Sequence, residues 1–153
     1  MPLSHVMTSR LVSIQPDASV TDAVSCMVEA GVGSVVVTEG TRLVGIFTER
    51  DVLRLVADDT PLRSTAVGEV MTRDVVAFAP DDEVVDVAHV MAARQIRHAP
   101  VVLDGHVLGV VGIRDLLALL LERAYGRQDT DARDTARDLL GRTPLSSSAP
   151  PGA

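Results

Sequence analysis

Apolar and polar positions along this chain follow two periods in turn, and the whole pattern occurs twice. Val20, Ala23, Val24, Met27 and Val28 recur at the i, i+3, i+4, i+7 spacing of one buried helix face, and Val84, Val87, Ala88 and Met91 repeat that stripe. Each predicted helix carries acidic or hydroxyl groups in its first turn, Ser19 and Asp22 in one copy, Glu83 and Asp86 in the other. Short apolar segments at 10–14 and 74–78, read as strands, precede the helices and stop at Pro16 and Pro80. After the helices come two strand pairs, Val35–Val37 with Leu43–Phe47 and Ala99–Leu103 with Val107–Val111. Their near-continuous valine content predicts burial on both faces. Asp104-Gly105 is a strong two-residue hairpin signal, and Glu39-Gly40 a weaker one. Each hairpin feeds a second helix, at 48–57 and 113–125, the latter with Gly126 as its expected cap. The predicted order is strand, helix, strand, strand, helix in each copy, an α/β (α+β) fold class.

The two copies superpose without a gap, residues 6–53 on residues 70–117. Val6-Met7-Thr8 meets Val70-Met71-Thr72, Pro16-Asp17 meets Pro80-Asp81, and Gly45, Arg50, Asp51 and Leu53 meet Gly109, Arg114, Asp115 and Leu117. Polar and apolar positions match together, so one structural unit is used twice. A unit of this size cannot bury a sufficient core alone, so the two are expected to share one and to form paired clefts between them. The expected organisation is a first repeat at 6–57, a linker at 58–68, a second repeat at 69–125, and a polar, largely disordered tail at 127–153.

Composition narrows the functions. All 14 basic side chains are arginine, so lysine chemistry is impossible, and a net charge of −7 argues against nucleic-acid binding. Phe47, Phe78 and Tyr125 are the only aromatic residues, which leaves aliphatic side chains to sandwich any flat base. The single cysteine, Cys26, excludes an internal disulfide and is expected as a small core residue. His5, His89, His98 and His106 lack metal-ligand spacing, so no metal site is expected. No apolar run is long enough to span a bilayer and no export signal is apparent, which places the expectation in the cytoplasm.

Candidate chemistry lies where the last strand of each repeat enters its second helix, Gly45-Ile46-Phe47-Thr48-Glu49-Arg50-Asp51 and Gly109-Val110-Val111-Gly112-Ile113-Arg114-Asp115. A helix N-terminus offers unpaired N–H groups and partial positive charge to a phosphate. Thr48 adds a hydroxyl, and an ionised Asp51 or Asp115 accepts from the two hydroxyls of a ribose diol. Arg50 and Arg114 could reach phosphate oxygens as charged forks. Thr48-x-x-Asp51 is equally a capping box, which starts a helix and needs no ligand. The second copy keeps Asp115 although Gly112 cannot complete such a box.

With the Val-Met-Thr starts, the Pro-Asp pairs, Ile96-Arg97-His98-Ala99-Pro100-Val101-Val102 and the two junctions in hand, residues 6–117 resemble a tandem pair of cystathionine β-synthase-type (CBS) domains, a Bateman module. The resemblance covers roughly three quarters of the chain. It implies two β-α-β-β-α repeats packed by pseudo-two-fold symmetry through their sheets, with clefts that hold adenosine derivatives. Carried over by position, the first cleft would use Thr48 and Asp51 with Gly33, Ser34 and Val35 against the base. The second would use Asp115 with His98, Ala99 and Pro100, and Arg97 or His98 would reach a phosphate across the interface. Gly112 replaces the hydroxyl residue in the second cleft.

The helix at 113–125 is apolar on all sides and needs two partners, one of them supplied by a second subunit. The reading is therefore a non-enzymatic regulatory module, a homodimer through helices 48–57 and 113–125. It would bind AMP, ADP, ATP or S-adenosylmethionine, with no required cofactor, and would signal to a regulated protein by rearrangement. A structural adaptor with degenerate, empty clefts is the alternative.

Overall fold

The computed structural model describes residues 1–8 and 11–125, so Gly126 and the tail lie outside the described residues. A 3-10 turn at Leu3–His5 leads to β1 (Ser13–Ile14), α1 (Val20–Ala30), β2 (Ser34–Glu39), β3 (Arg42–Thr48) and α2 (Glu49–Ala57). The second half runs α3 (Val67–Val70), α4 (Val84–Ala93), β4 (His98–Leu103), β5 (His106–Gly112) and α5 (Ile113–Tyr125). The strands form a five-stranded sheet in the order β1-β2-β3-β5-β4. The expected mixed α+β architecture is present.

Local chemistry accounts for the elements. Ser19 caps α1 through a complete capping box with Asp22, and Gly31 closes it at φ 65, a left-handed conformation suited to glycine. Asp104 and Gly105 both take positive φ, 52 and 83, and close the β4–β5 hairpin as expected. In the first hairpin the turn falls one residue later than Glu39-Gly40, on Gly40 and Thr41, with Gly40 at φ 63. The α1 stripe buries Val20, Ala23 and Met27, whereas Val28, expected inside, is 75% exposed.

The first strand of each repeat is shorter than the sequence pattern suggests. Only Ser13–Ile14 form a strand beside β2, and 74–78 contributes a single bridge, Phe78 to Val101. The difference between halves has one cause. The Val36 N–H donates to the Val12 carbonyl at 3.1 Å, but Pro100 stands in the position of Val36 and has no N–H to give.

Two cores form, one per half, and each contains the start of the other repeat. Leu3, 0% exposed, packs with Val84, Val87, Met91 and Leu116 of the second half. Val67, also 0% exposed, packs with Val20, Met27, Val35 and Phe47 of the first. Each such burial contributes about 1.5–3 kcal/mol. The backbone bonds repeat the exchange symmetrically: Leu3 N–H donates to Asp82 O and Val67 N–H to Ala18 O, while Val84 N–H donates to Met1 O and Val20 N–H to Thr65 O. Segment 58–68, expected as a linker, thus ends in residues that pair with the first half.

The exchange also explains the Val-Met-Thr motif. Thr72 forms both backbone bonds with Ile46, at 2.9 and 3.0 Å, and Thr8 forms both with Val110, at 3.0 and 3.1 Å. A Cβ on Gly45 would collide with Met71 Sδ, and one on Gly109 with Thr8 O. The junction glycines therefore admit the exchanged segment of the other repeat. The halves also join at their hairpins, where Leu43 N–H donates to Gly105 O and Val107 N–H to Thr41 O, each at 3.0 Å.

Candidate functional site

Because the starts are exchanged, residues 72–76 run alongside the junction that opens α2. A cavity of about 480 Å³ lies there, bounded by Thr48, Glu49, Arg50, Asp51, Leu53 and Arg54 of the junction and α2, by Gly33 and Ile46, by Thr72, Asp74, Val75 and Val76, and by Arg94 to His98 at the α4–β4 turn. That volume is within the range of pockets for nucleotide-sized ligands. Each element has a local reason to be there. Glu49 N–H donates to Gly33 O at 3.0 Å, tying the α2 start to the β2 start. Its symmetric partner ties Ile113 N–H to Arg97 O at 2.9 Å.

Thr48 and Asp51 form the capping box in full. Asp51 Oδ2 accepts from Thr48 N–H at 2.9 Å and from Thr48 Oγ1 at 3.1 Å, while Thr48 Oγ1 accepts from Asp51 N–H at 3.4 Å. The box is half-buried and holds the carboxylate rigidly at the cavity wall, with Oδ1 still available as an acceptor. The charged lining comprises four arginines, Arg50, Arg54, Arg94 and Arg97, and three carboxylates, Glu49, Asp51 and Asp74. Arginine forks suit phosphate oxygens. The apolar side chains Ile46, Leu53, Val75, Val76 and Ile96 supply the aliphatic surface that a base requires in an aromatic-poor protein.

Of the residues singled out from sequence, Thr48, Arg50, Asp51, Gly33, Arg97 and His98 line this one cavity. Ser34 opens β2 and is half-buried, and Val35 is 1% exposed in the first core. Ala99 is 0% exposed in the second core, and Pro100 is buried beside it in β4. Arg114 and Asp115 are exposed in the first turn of α5. Residues 9 and 10, the repeat counterparts of Arg73 and Asp74, lie outside the described residues.

Sequence reading missed Glu49, Arg54, Thr72, Asp74, Val75, Val76, Arg94 and Gln95. The 72–76 wall follows from the exchange, which periodicity does not register. Gln95 had a visible signal: it aligns with Gly31, a helix-closing glycine, and takes the same left-handed conformation at φ 55 without being glycine. Non-glycine residues held there cost energy and gather at functional sites.

His98 has a perturbed imidazole. Burial pushes its pKa below the usual 6.5, against the opposing pull of Asp115 and then Glu49, with Arg114 and Arg97 adding to the lowering. The side chain as a whole is exposed at the start of β4, so this burial of the ring is partial. Among the described residues no cluster of three metal-ligating side chains is present, and no helix is long and apolar enough to cross a membrane.

The chain matches the CBS domain family twice, over residues 3–58 and 67–122. It is 34% identical over 125 residues to a 17.7 kDa protein of Acidianus ambivalens, a match that spans 78% of this chain and 73% of that one. Two further curated relatives, from Methanocaldococcus jannaschii and Thermofilum pendens, are longer, and the chain spans about two fifths of their length. Among solved structures, the CBS domain NE2398 is 33% identical with a TM-score of 0.73, covering 78% of this chain and 98% of that one. The CBS domain pair of MJ0100, solved with 5'-methylthioadenosine and S-adenosyl-L-methionine, shares the fold at 23% identity and a TM-score of 0.73, covering 80% and 98%.

Proposed function

The chain belongs to the CBS domain family as a tandem pair, and from that premise we propose that it is a regulatory module whose cleft beside α2 binds an adenosine-type ligand, AMP, ADP, ATP or S-adenosylmethionine. The observation that carries this reading is the rigid Thr48–Asp51 pair on the wall of a 480 Å³ cavity that also presents four arginines. Asp51 Oδ1 receives a ribose hydroxyl, the aliphatic side chains enclose the base, and the arginines meet the phosphates. The same fold holds adenosyl ligands in the MJ0100 pair. Lining from both repeats means that a bound ligand bridges them, so occupancy biases their relative arrangement, and through it a partner protein.

Self-association belongs to the same reading. Leu53 and Val56 of α2 are 70% and 56% exposed, and Leu117, Leu121 and Tyr125 of α5 are 45%, 44% and 77% exposed. These side chains provide the apolar surface for a homodimer through the two helices.

A thermal-shift screen of the wild type and Asp51→Ala against the four adenosyl ligands, with guanosine nucleotides as controls, tests the proposal. Ligand at about one hundred times its dissociation constant adds roughly 2.7 kcal/mol, a shift of several degrees. A shift specific to adenosyl ligands and abolished in Asp51→Ala is expected. Absence of any shift overturns the binding reading in favour of a structural adaptor.

A further inference from the structure

His98 stands between the two junctions. It lines the cavity of the first one, together with Glu49, Thr48 and Asp51. It also opens β4 directly opposite Gly112, the last residue of β5. A Cβ placed on Gly112 would lie 3.2 Å from Asp115 Oδ2 and 3.6 and 3.8 Å from His98 Cδ2 and Nε2. The missing side chain at Gly112 thus leaves the Asp115 carboxylate and the His98 ring flanking the same small gap. In the first repeat the corresponding positions hold Ser34, Thr48 and Asp51, and there the hydroxyl of Thr48 occupies the carboxylate. In the second repeat no hydroxyl intervenes, and Asp115 and His98, both exposed, border the gap without a hydrogen bond or ion pair between them.

We propose that Asp115 serves the first cleft through the charge it holds near His98, so that a phosphate-bearing ligand entering that cleft draws a proton onto the His98 ring and binds with net proton uptake. The inference rests on the proposed ligand site and adds to it a discrimination between anionic and uncharged adenosyl ligands. The charged groups that act on the ring are Asp115 and Arg114 on α5, Glu49 on α2, and Arg97 beside it in sequence. Partial burial and the two arginines outweigh the two carboxylates, so the ring takes up a proton less readily than a free imidazole. An added phosphate charge in the cavity, together with the nearby Asp115 carboxylate, reverses that balance. The proton comes from solvent, and no bond other than N–H is formed. The gain in affinity is full below the pKa of the free site and disappears as pH rises through the pKa of the bound site. Adenosine, which carries no charge to offer, engages no proton.

The test is calorimetric titration of the full chain with ADP and with adenosine at pH 7, in two phosphate-free buffers of different ionisation enthalpy. The wild type is expected to take up a fraction of one proton per ADP and none per adenosine. The second ionisation of the ligand phosphate, with a pKa of about 6, works in the opposite direction, so uptake cannot come from the nucleotide. His98→Asn and Asp115→Asn are each expected to abolish the uptake while ADP still binds. Gly112→Ser, which places a hydroxyl between carboxylate and ring, is expected to reduce it and provides a second reading should Asp115→Asn fail to fold. Binding of ADP without uptake, or uptake unchanged in Asp115→Asn, overturns the inference and leaves the nucleotide site standing. Absence of heat with both ligands overturns the site itself.

Discussion

Met71 lies across Gly45 so closely that its sulfur occupies the space a β-carbon would need. The contact joins the start of the second repeat to the third strand of the first, and Thr72 O at 3.0 Å from the same point closes off the backbone side. Gly45→Ala therefore forces the exchanged segment away from β3 and strains the two Ile46–Thr72 bonds. A loss of about 1–3 kcal/mol is expected, measured by urea denaturation. Gly109→Ala meets the backbone of Thr8 instead of a flexible thioether, so its loss should be the larger of the two.

The 64-residue period makes the element order, the pseudo-symmetry and the junction residues Thr48, Asp51 and Arg50 legible, because those depend on local pattern and on matching positions. It is silent on which copy a segment packs against: Leu3 and Val67 look the same whether they return to their own repeat or cross to the other. The wall at 72–76 was hidden for that reason. Pro100 was visible, but its effect required knowing that Val36 donates to Val12 in the other half. Val35 and Ala99, placed beside the ligand by family position, are occupied in the two cores.

Thr38 is 2% exposed, and its Oγ1 finds no hydrogen-bond partner among the described residues. The repeat places Val102 at the same position in the second half. Thr38→Val removes a buried hydroxyl without changing shape, and a gain of about 1–2 kcal/mol in unfolding free energy is expected. A loss would mean that the hydroxyl is satisfied.

Gln95 occupies a left-handed conformation that its counterpart Gly31 adopts freely. Gln95→Gly should raise stability by about 0.5–1 kcal/mol, since relief of steric strain slightly exceeds the added flexibility of the unfolded chain. Because Gln95 lines the cavity, its thermal shift with ADP should be compared with that of the wild type. A more stable protein with a smaller ligand shift identifies the strain as a cost retained for binding.

Acid should destabilise the fold through His98. Its folded pKa lies below the unfolded value of 6.5 because burial disfavours the charged ring. The unfolded chain therefore binds more protons, and the stability held above the unfolded pKa is lost as pH falls through the folded one. Between pH 7 and pH 5 the urea midpoint of the wild type is expected to fall more steeply than that of His98→Asn. Parallel curves would show that the ring gains its proton as easily folded as unfolded.

No side chain of α2 is fully buried: Val52 and Leu55 pack partly against the first core, while Leu53 and Val56 stay exposed. In α5 Leu116 is buried against the second core, while Leu117, Leu121 and Tyr125 remain on its outer side. Exposed apolar surface of this extent marks an interaction site, and the pseudo-two-fold relation between α2 and α5 suits a symmetric interface with a second copy. Val56→Glu combined with Leu121→Glu puts a charge into each half of that surface without touching the cavity lining. Light scattering should give half the mass of the wild-type particle, with the thermal shift from nucleotide retained. If the mass is unchanged, the subunits meet elsewhere. If the mass falls and the nucleotide shift falls with it, the cleft depends on the dimer, and ligand occupancy and assembly are linked in this protein.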